Sequence, residues 1–184
     1  GGLDDLRPFC RFRDIPVYAE EYTATRLKNR MPYCFAENLY PGVPHIPLHY
    51  IEEGVPFTVS SMEGNEVEVM PFRVMHGQLP IMGFRIGPMA WITDMSRMPE
   101  ESYDCLKDLK LLVMNALRIE PHWTHQSLSE ALEQTQRIHA EKTYFIHMSH
   151  QIGLHAKVQA QLPENACLTY DGLQLEVDES GKMK

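Results

Sequence analysis

The sequence predicts a mixed α/β (α+β) domain covering residues 1–184, and three observations carry that expectation. Short apolar runs of strand length alternate with segments of helical periodicity. Gly-Pro and Asp-Gly pairs separate neighbouring runs where hairpins would turn. Hydrophobic residues at 43% and charged residues at 23% are ordinary for a globular chain, and the length suffices for one sizeable core.

Residues 1–65 are irregular, with prolines at 8, 16, 32, 41, 44, 47 and 56 breaking up short runs such as Ile15-Pro16-Val17-Tyr18. Short strands, loops and one helix near Glu20–Asn29 are expected there. From Glu66 the alternation Glu66-Val67-Glu68-Val69 marks a half-buried strand that continues to Val74-Met75 and ends close to His76. Ile81–Ile86 and Met89–Thr93, separated by Gly87-Pro88, read as a hairpin leading to Asp94. Pro99 followed by Glu100 and Glu101 has the chemistry of a helix start, with Tyr103, Leu106 and Leu109 on one face. Leu111–Met114 reads as a buried strand. Ser127-Leu128-Ser129-Glu130 has capping-box spacing and opens a helix with a stripe of Leu128, Ala131, Leu132, Thr135 and Ile138. Thr143–Ile146 is a further core strand ending at His147, and Leu168–Val177 reads as a hairpin turning at Asp171-Gly172.

A formal charge of −8 works against binding nucleic acid phosphates or anionic membrane surfaces. No apolar run approaches the length of a membrane span, and the N-terminus has no basic region with an apolar stretch behind it. The four cysteines, at 10, 34, 105 and 167, are scattered without a Cys-x-x-Cys pair, which fits a reducing cytoplasm. The chain opens on Gly1 without an initiator methionine, which reads as a processed end, a cloning scar or a cut inside a longer protein.

His76, Asp94 and His147 each fall just beyond the end of an expected apolar strand, where the loops of an α/β sheet gather at one rim. Imidazoles and a carboxylate are suitable ligands for zinc, manganese or iron, and a carboxylate can bridge two ions. Each residue reads equally well as an ordinary polar group at a strand end. His122-Trp123-Thr124-His125 precedes the capped helix: Trp123 could shield a site while His125 donates a proton, or the segment is a plain solvent-exposed loop. His45, His49 and His139 are expected at the surface, and Asp4-Asp5 reads as the acidic first turn of a helix.

Val74-Met75-His76-Gly77, Gly83–Ile86 leading to Ile92-Thr93-Asp94, Phe145–Gln151 and Tyr170-Asp171-Gly172 occur together in an order that resembles the metallo-β-lactamase superfamily. The likeness is to the branch containing the cyclic phosphodiesterase of the carbon-phosphorus lyase pathway. It implies hydrolysis of a small-molecule phosphate ester by metal-activated water, with two divalent ions, zinc or manganese. It further implies His76 as ligand of one ion, Asp94 as the bridge, His147 as ligand of the other and His125 as the general acid. His150 and His155 would support them from behind. The family's H-x-H-x-D-H motif, which supplies the remaining ligands, stands directly before a segment resembling Gly2–Arg7 and is absent from this sequence. The expectation is therefore the C-terminal portion of an αββα sandwich lacking its opening strands, with weak or absent metal binding and feeble activity. Pairing into a homodimer would cover the sheet edge so exposed. Two rivals remain: a non-catalytic binding or scaffold domain, and a thioester or lactone hydrolase using the same site.

Overall fold

The structure, a computed structural model, describes residues 2–10, 12–36, 42–61 and 63–177. The chain divides into two compact units, Gly1–Glu52 and Glu53–Lys184. In the first, strand β1 (Val17–Ala19) pairs in parallel with β2 (Leu48–Tyr50), and helix α1 (Glu21–Arg30) buries Ala24. Met31, Cys34 and Ile46 form its small apolar cluster.

The second unit is built on a seven-stranded sheet in the order β3-β4-β5-β6-β7-β8-β9. Its members are β3 (Phe57–Ser60), β4 (Glu66–His76), β5 (Leu79–Ile86), β6 (Met89–Ile92), β7 (Leu111–Asn115), β8 (Lys142–Ile146) and β9 (Ala166–Leu168). The first four pair antiparallel and the last four parallel. Both tight hairpins carry glycine at the first turn position: Gly77 (φ 62°) joins β4 to β5, and Gly87 (φ 54°) joins β5 to β6. Positive φ there matches the right-handed twist of the flanking strands. At Gly77 the space is restricted too, since an added Cβ would lie 2.9 Å from Thr124 Cγ2.

Every residue of β7 is buried, so the centre of the sheet is covered on both faces, as its unbroken apolar run predicts. Helix α2 (Leu128–Ile138) crosses from β7 to β8 and packs Ala131, Thr135 and Ile138 into the core, with Leu128 and Leu132 beside them. Its start is a complete capping box: Ser127 Oγ accepts from the Glu130 N–H, and Glu130 Oε2 accepts from the Ser127 N–H.

The helix expected after Pro99 is present as a 3-10 helix, Glu100–Leu106, with Leu106 buried and the Arg85 guanidinium donating to the carbonyls of Cys105 and Lys107 at its end. One expectation requires correction. Residues 168–177 do not return as a hairpin. Ala166–Leu168 pairs with the open edge of β8 instead, and after the turn closed by the Leu173 N–H on the Tyr170 carbonyl the described residues form no strand, with a single β-bridge at Val177. Short helix α3 (His155–Gln159) precedes β9 and anchors it by accepting the Leu168 N–H at Gln159 Oε1. The four cysteines are free thiols, and no helix among the described residues is long and apolar enough to cross a membrane.

Ser127→Ala removes both the N-cap acceptor and the hydroxyl held by Glu130, and should cost about 1 kcal/mol of stability. Urea denaturation followed by circular dichroism reads the loss; an unchanged midpoint would show that the box does not secure this helix.

Candidate functional site

Strand direction brings the chemistry together. Because β4–β5 and β5–β6 are both antiparallel, β4 runs the same way as β6, and β7 and β8 are parallel to β6. Four strands therefore end at one rim. His76 is the last residue of β4, Asp94 lies two residues past β6, and His147 directly follows β8. His122 and His125 come from the loop between β7 and α2. That loop is closed by main-chain bonds from Leu117 to Gln126 and from Leu128 to Arg118. The Arg118 guanidinium adds bonds to the carbonyls of Glu120 and Pro121 and to the Gln151 side chain.

Asp94 Oδ1 stands 2.9 Å from His147 Nε2 and 3.3 Å from His125 Nε2. One donor atom from each of the three lies within 4.8 Å of the others. The Asp94 side chain is 43% exposed, yet Oδ1 itself is shut off from solvent and makes no hydrogen bond among the described residues. A buried carboxylate oxygen aimed at two imidazole nitrogens without a hydrogen bond to either is costly by itself, and a cation shared among them would satisfy it. The donor set thus fits a divalent metal.

The surrounding bonds set up the imidazoles. His76 Nδ1 lies 2.8 Å from the Asp94 carbonyl, which can only accept, so Nδ1 carries the proton and Nε2 keeps its lone pair. The His76 ring meets His125 edge-on with centroids 4.7 Å apart, and His147 stacks on His125 at 5.0 Å. His122 Nδ1 accepts from the Thr124 N–H at 3.3 Å and lies 3.1 Å from His125 Nδ1. That contact is satisfied when His125 carries its proton on Nδ1, leaving its Nε2 lone pair towards Asp94. Burial first, then His76 and His147, hold His125 below the ordinary imidazole range, while Asp94 pulls the other way.

Backbone strain marks the same place. Among described non-glycine residues, Asp94, Asp108, His139 and His147 have positive φ. His139 caps the end of α2, and the two at the rim, both at φ 59°, are candidate ligands. Such conformations cost on the order of 1 kcal/mol each and persist where surrounding contacts impose them.

Of the residues singled out from sequence, the structure gathers His76, Asp94, His125 and His147. It leaves His150 and His155 exposed, with His155 edge-on to Tyr170 at 6.3 Å. Trp123 is 94% exposed and shields nothing in this structure. His122 and Thr124 bond to His125 without having been assigned a role, although the His-x-x-His spacing was visible.

The model of the beta-lactamase superfamily domain matches residues 1–148. The chain belongs to this superfamily. A crystal structure of a diphosphatase from the PhnP family superposes with a TM-score of 0.81 at 32% identity, covering 96% of this chain and 66% of that one. Zn2+-bound PqqB from Methylobacterium extorquens (TM-score 0.66, 13% identity, 91% of this chain and 67% of that one) shares the fold. An octanoyltransferase of Porphyromonas gingivalis is 39% identical over 182 residues, 98% of this chain. This chain spans only 36% of that transferase's length, so most of the transferase lies outside the match. The metallo-β-lactamase fold expected from sequence is thus the fold of the superfamily member described here.

With its folded pKa depressed, His125 takes up a proton more readily once unfolded. Stability from this group is therefore present above about pH 6.5 and is lost as the pH falls through the lower folded value. Chelator-treated protein should melt at progressively lower temperature below about pH 6.5, with His125→Gln flattening that part of the profile; identical profiles would remove His125 as the cause.

Proposed function

We propose that this chain forms part of a metal-dependent hydrolase that cleaves a phosphoric ester or anhydride of a small molecule. The observation that carries the reading is Asp94 Oδ1, buried without a hydrogen bond and set 2.9 Å from His147 Nε2 and 3.3 Å from His125 Nε2. The similarity to a diphosphatase at 32% identity supports phosphorus, rather than carbon, as the centre attacked.

Asp94, His147 and the Nε2 of His76 would hold divalent cations, zinc or manganese. Bound there, such ions supply Lewis-acid chemistry, acidifying a water and neutralising charge on phosphoryl oxygens. Asp94 is suited to bridging because a carboxylate offers two oxygens, and its side chain is 43% exposed although Oδ1 is buried. Thr124 and His122 fix the ring of His125 from its Nδ1 side and leave Nε2 directed into the centre. From that atom His125 either completes the donor set or protonates the departing oxygen. Substrate choice separates these roles: loss of an acid spares a p-nitrophenyl leaving group, which needs no proton, and cripples an alkyl ester; loss of a ligand cripples both. Without H-x-H-x-D-H in the sequence, the 184 residues by themselves would hold metal weakly and turn over slowly.

A second reading, hydrolysis or transfer of an acyl group, draws on the octanoyltransferase relative, and a dinuclear centre polarises a carbonyl as readily as a phosphoryl group.

The test is hydrolysis of bis(p-nitrophenyl) phosphate with added Mn2+ or Zn2+ by the natural-length protein, beside a thioester substrate. Asp94→Ala should cut phosphodiester turnover by more than the roughly 100-fold that loss of an outer-shell partner costs. Undiminished activity in that variant would sink the site assignment, and thioester cleavage without phosphodiester cleavage would favour the acyl reading.

A further inference from the structure

Asn115 is fully buried at the end of β7, one of few polar side chains in the core. Its side-chain amide does what a neighbouring strand would do. Oδ1 accepts the Met95 N–H at 2.8 Å, and Nδ2 donates to the Met95 carbonyl at 2.9 Å. The reason lies in the ladder. β6 pairs with β7 up to Ile92 opposite Met114, after which the chain swings out through Asp94 in a left-handed conformation and abandons the main-chain partner Asn115 would otherwise face. The side chain replaces the lost pairing and so fixes the residue immediately after Asp94.

The same residue reaches the other two donors. The Met95 carbonyl also accepts from the Gln126 N–H at 3.0 Å, and Gln126, 1% exposed, directly follows His125. In the ladder Asn115 stands opposite Ile146, whose carbonyl accepts the Ala116 N–H at 3.0 Å, and Ile146 directly precedes His147. Asp94 and His125 are thus each one residue from a main-chain group bonded to Asn115 or its partner Met95, and His147 is one residue from Ile146, whose carbonyl bonds to the residue that follows Asn115. Met95 is itself 0% exposed, so neither it nor Asn115 can relax into solvent.

We infer that Asn115 is the positioning residue of the metal centre: it sets the spacing of Asp94 from His125 and His147 without touching any ligand. This rests on the metal-centre reading proposed above. An apolar residue of similar size at 115 keeps the packing and removes both bonds to Met95. Asp94 is then free to leave its left-handed conformation, and the convergence of the three donor atoms loosens.

The probe is Co2+ alone, titrated into the natural-length protein and followed by visible absorption, which reports both affinity and coordination geometry. Asn115→Leu should weaken binding about 10–100-fold and change the d–d bands. Leu112→Ala opens a cavity in the same strand and serves as the stability control. It should lower the melting temperature while leaving affinity and spectrum unchanged. Should Asn115→Leu not fold, Asn115→Asp, which keeps the acceptor for the Met95 N–H and loses the donor to its carbonyl, is read in the same way. Binding and spectrum unchanged in the Asn115 variant would overturn the inference, as would equal weakening by Leu112→Ala. Absence of Co2+ binding by the wild-type natural-length protein would instead overturn the metal-centre reading beneath it.

Discussion

Main-chain hydrogen bonds between β6, β7 and β8 hold three strand ends side by side at one rim, and the candidate centre hangs from those ends. In a parallel ladder neighbouring strands finish together, about 4.8 Å apart. Side chains just beyond such ends are brought within ligand distance without any loop having to reach. β4 joins the same rim because two successive antiparallel pairings restore its direction. The apolar interior of the sheet therefore stabilises the polar site indirectly: burying β7 on both faces fixes where Asp94 and His147 begin.

The rim itself is a place of unresolved electrostatics. A carboxylate oxygen is held away from water against two imidazole nitrogens, and two of the residues involved carry left-handed backbone. Neither feature stabilises the folded chain. Both persist because the neighbouring contacts are numerous: the Asn115 amide on Met95, the Ser96 hydroxyl between the Met75 carbonyl and the Gly77 N–H, and the closed loop that carries His122 and His125. A site preorganised in this way would lose little when a cation arrives, since the cost of ordering its donors is already met in folding.

Much of this could be read without coordinates. The alternation from Glu66, the Gly87-Pro88 turn and the Ser127 to Glu130 box each act locally, through side-chain period, permitted φ and an N-cap acceptor, and each appears in the structure where its signal lies. The absent hairpin beyond Leu168 could not be read in this way. There a distant partner decides: the free edge of β8 takes Ala166–Leu168. Local propensity gives no information about which long-range partner will compete for a backbone group.

Sequence by itself determined the mixed α/β class, the strand ends at His76, Asp94 and His147, and the likeness to the superfamily, because period, turn chemistry and motif order are properties of contiguous residues. Tertiary structure alone decided that His122 stands against His125, that His150 and His155 are exposed, and that the Asn115 side chain bonds the main chain of Met95. The physical reason is that these facts depend on which strands lie side by side and in which direction, and sheet order is set by burial and hydrogen bonding across the whole chain rather than by any one segment of it.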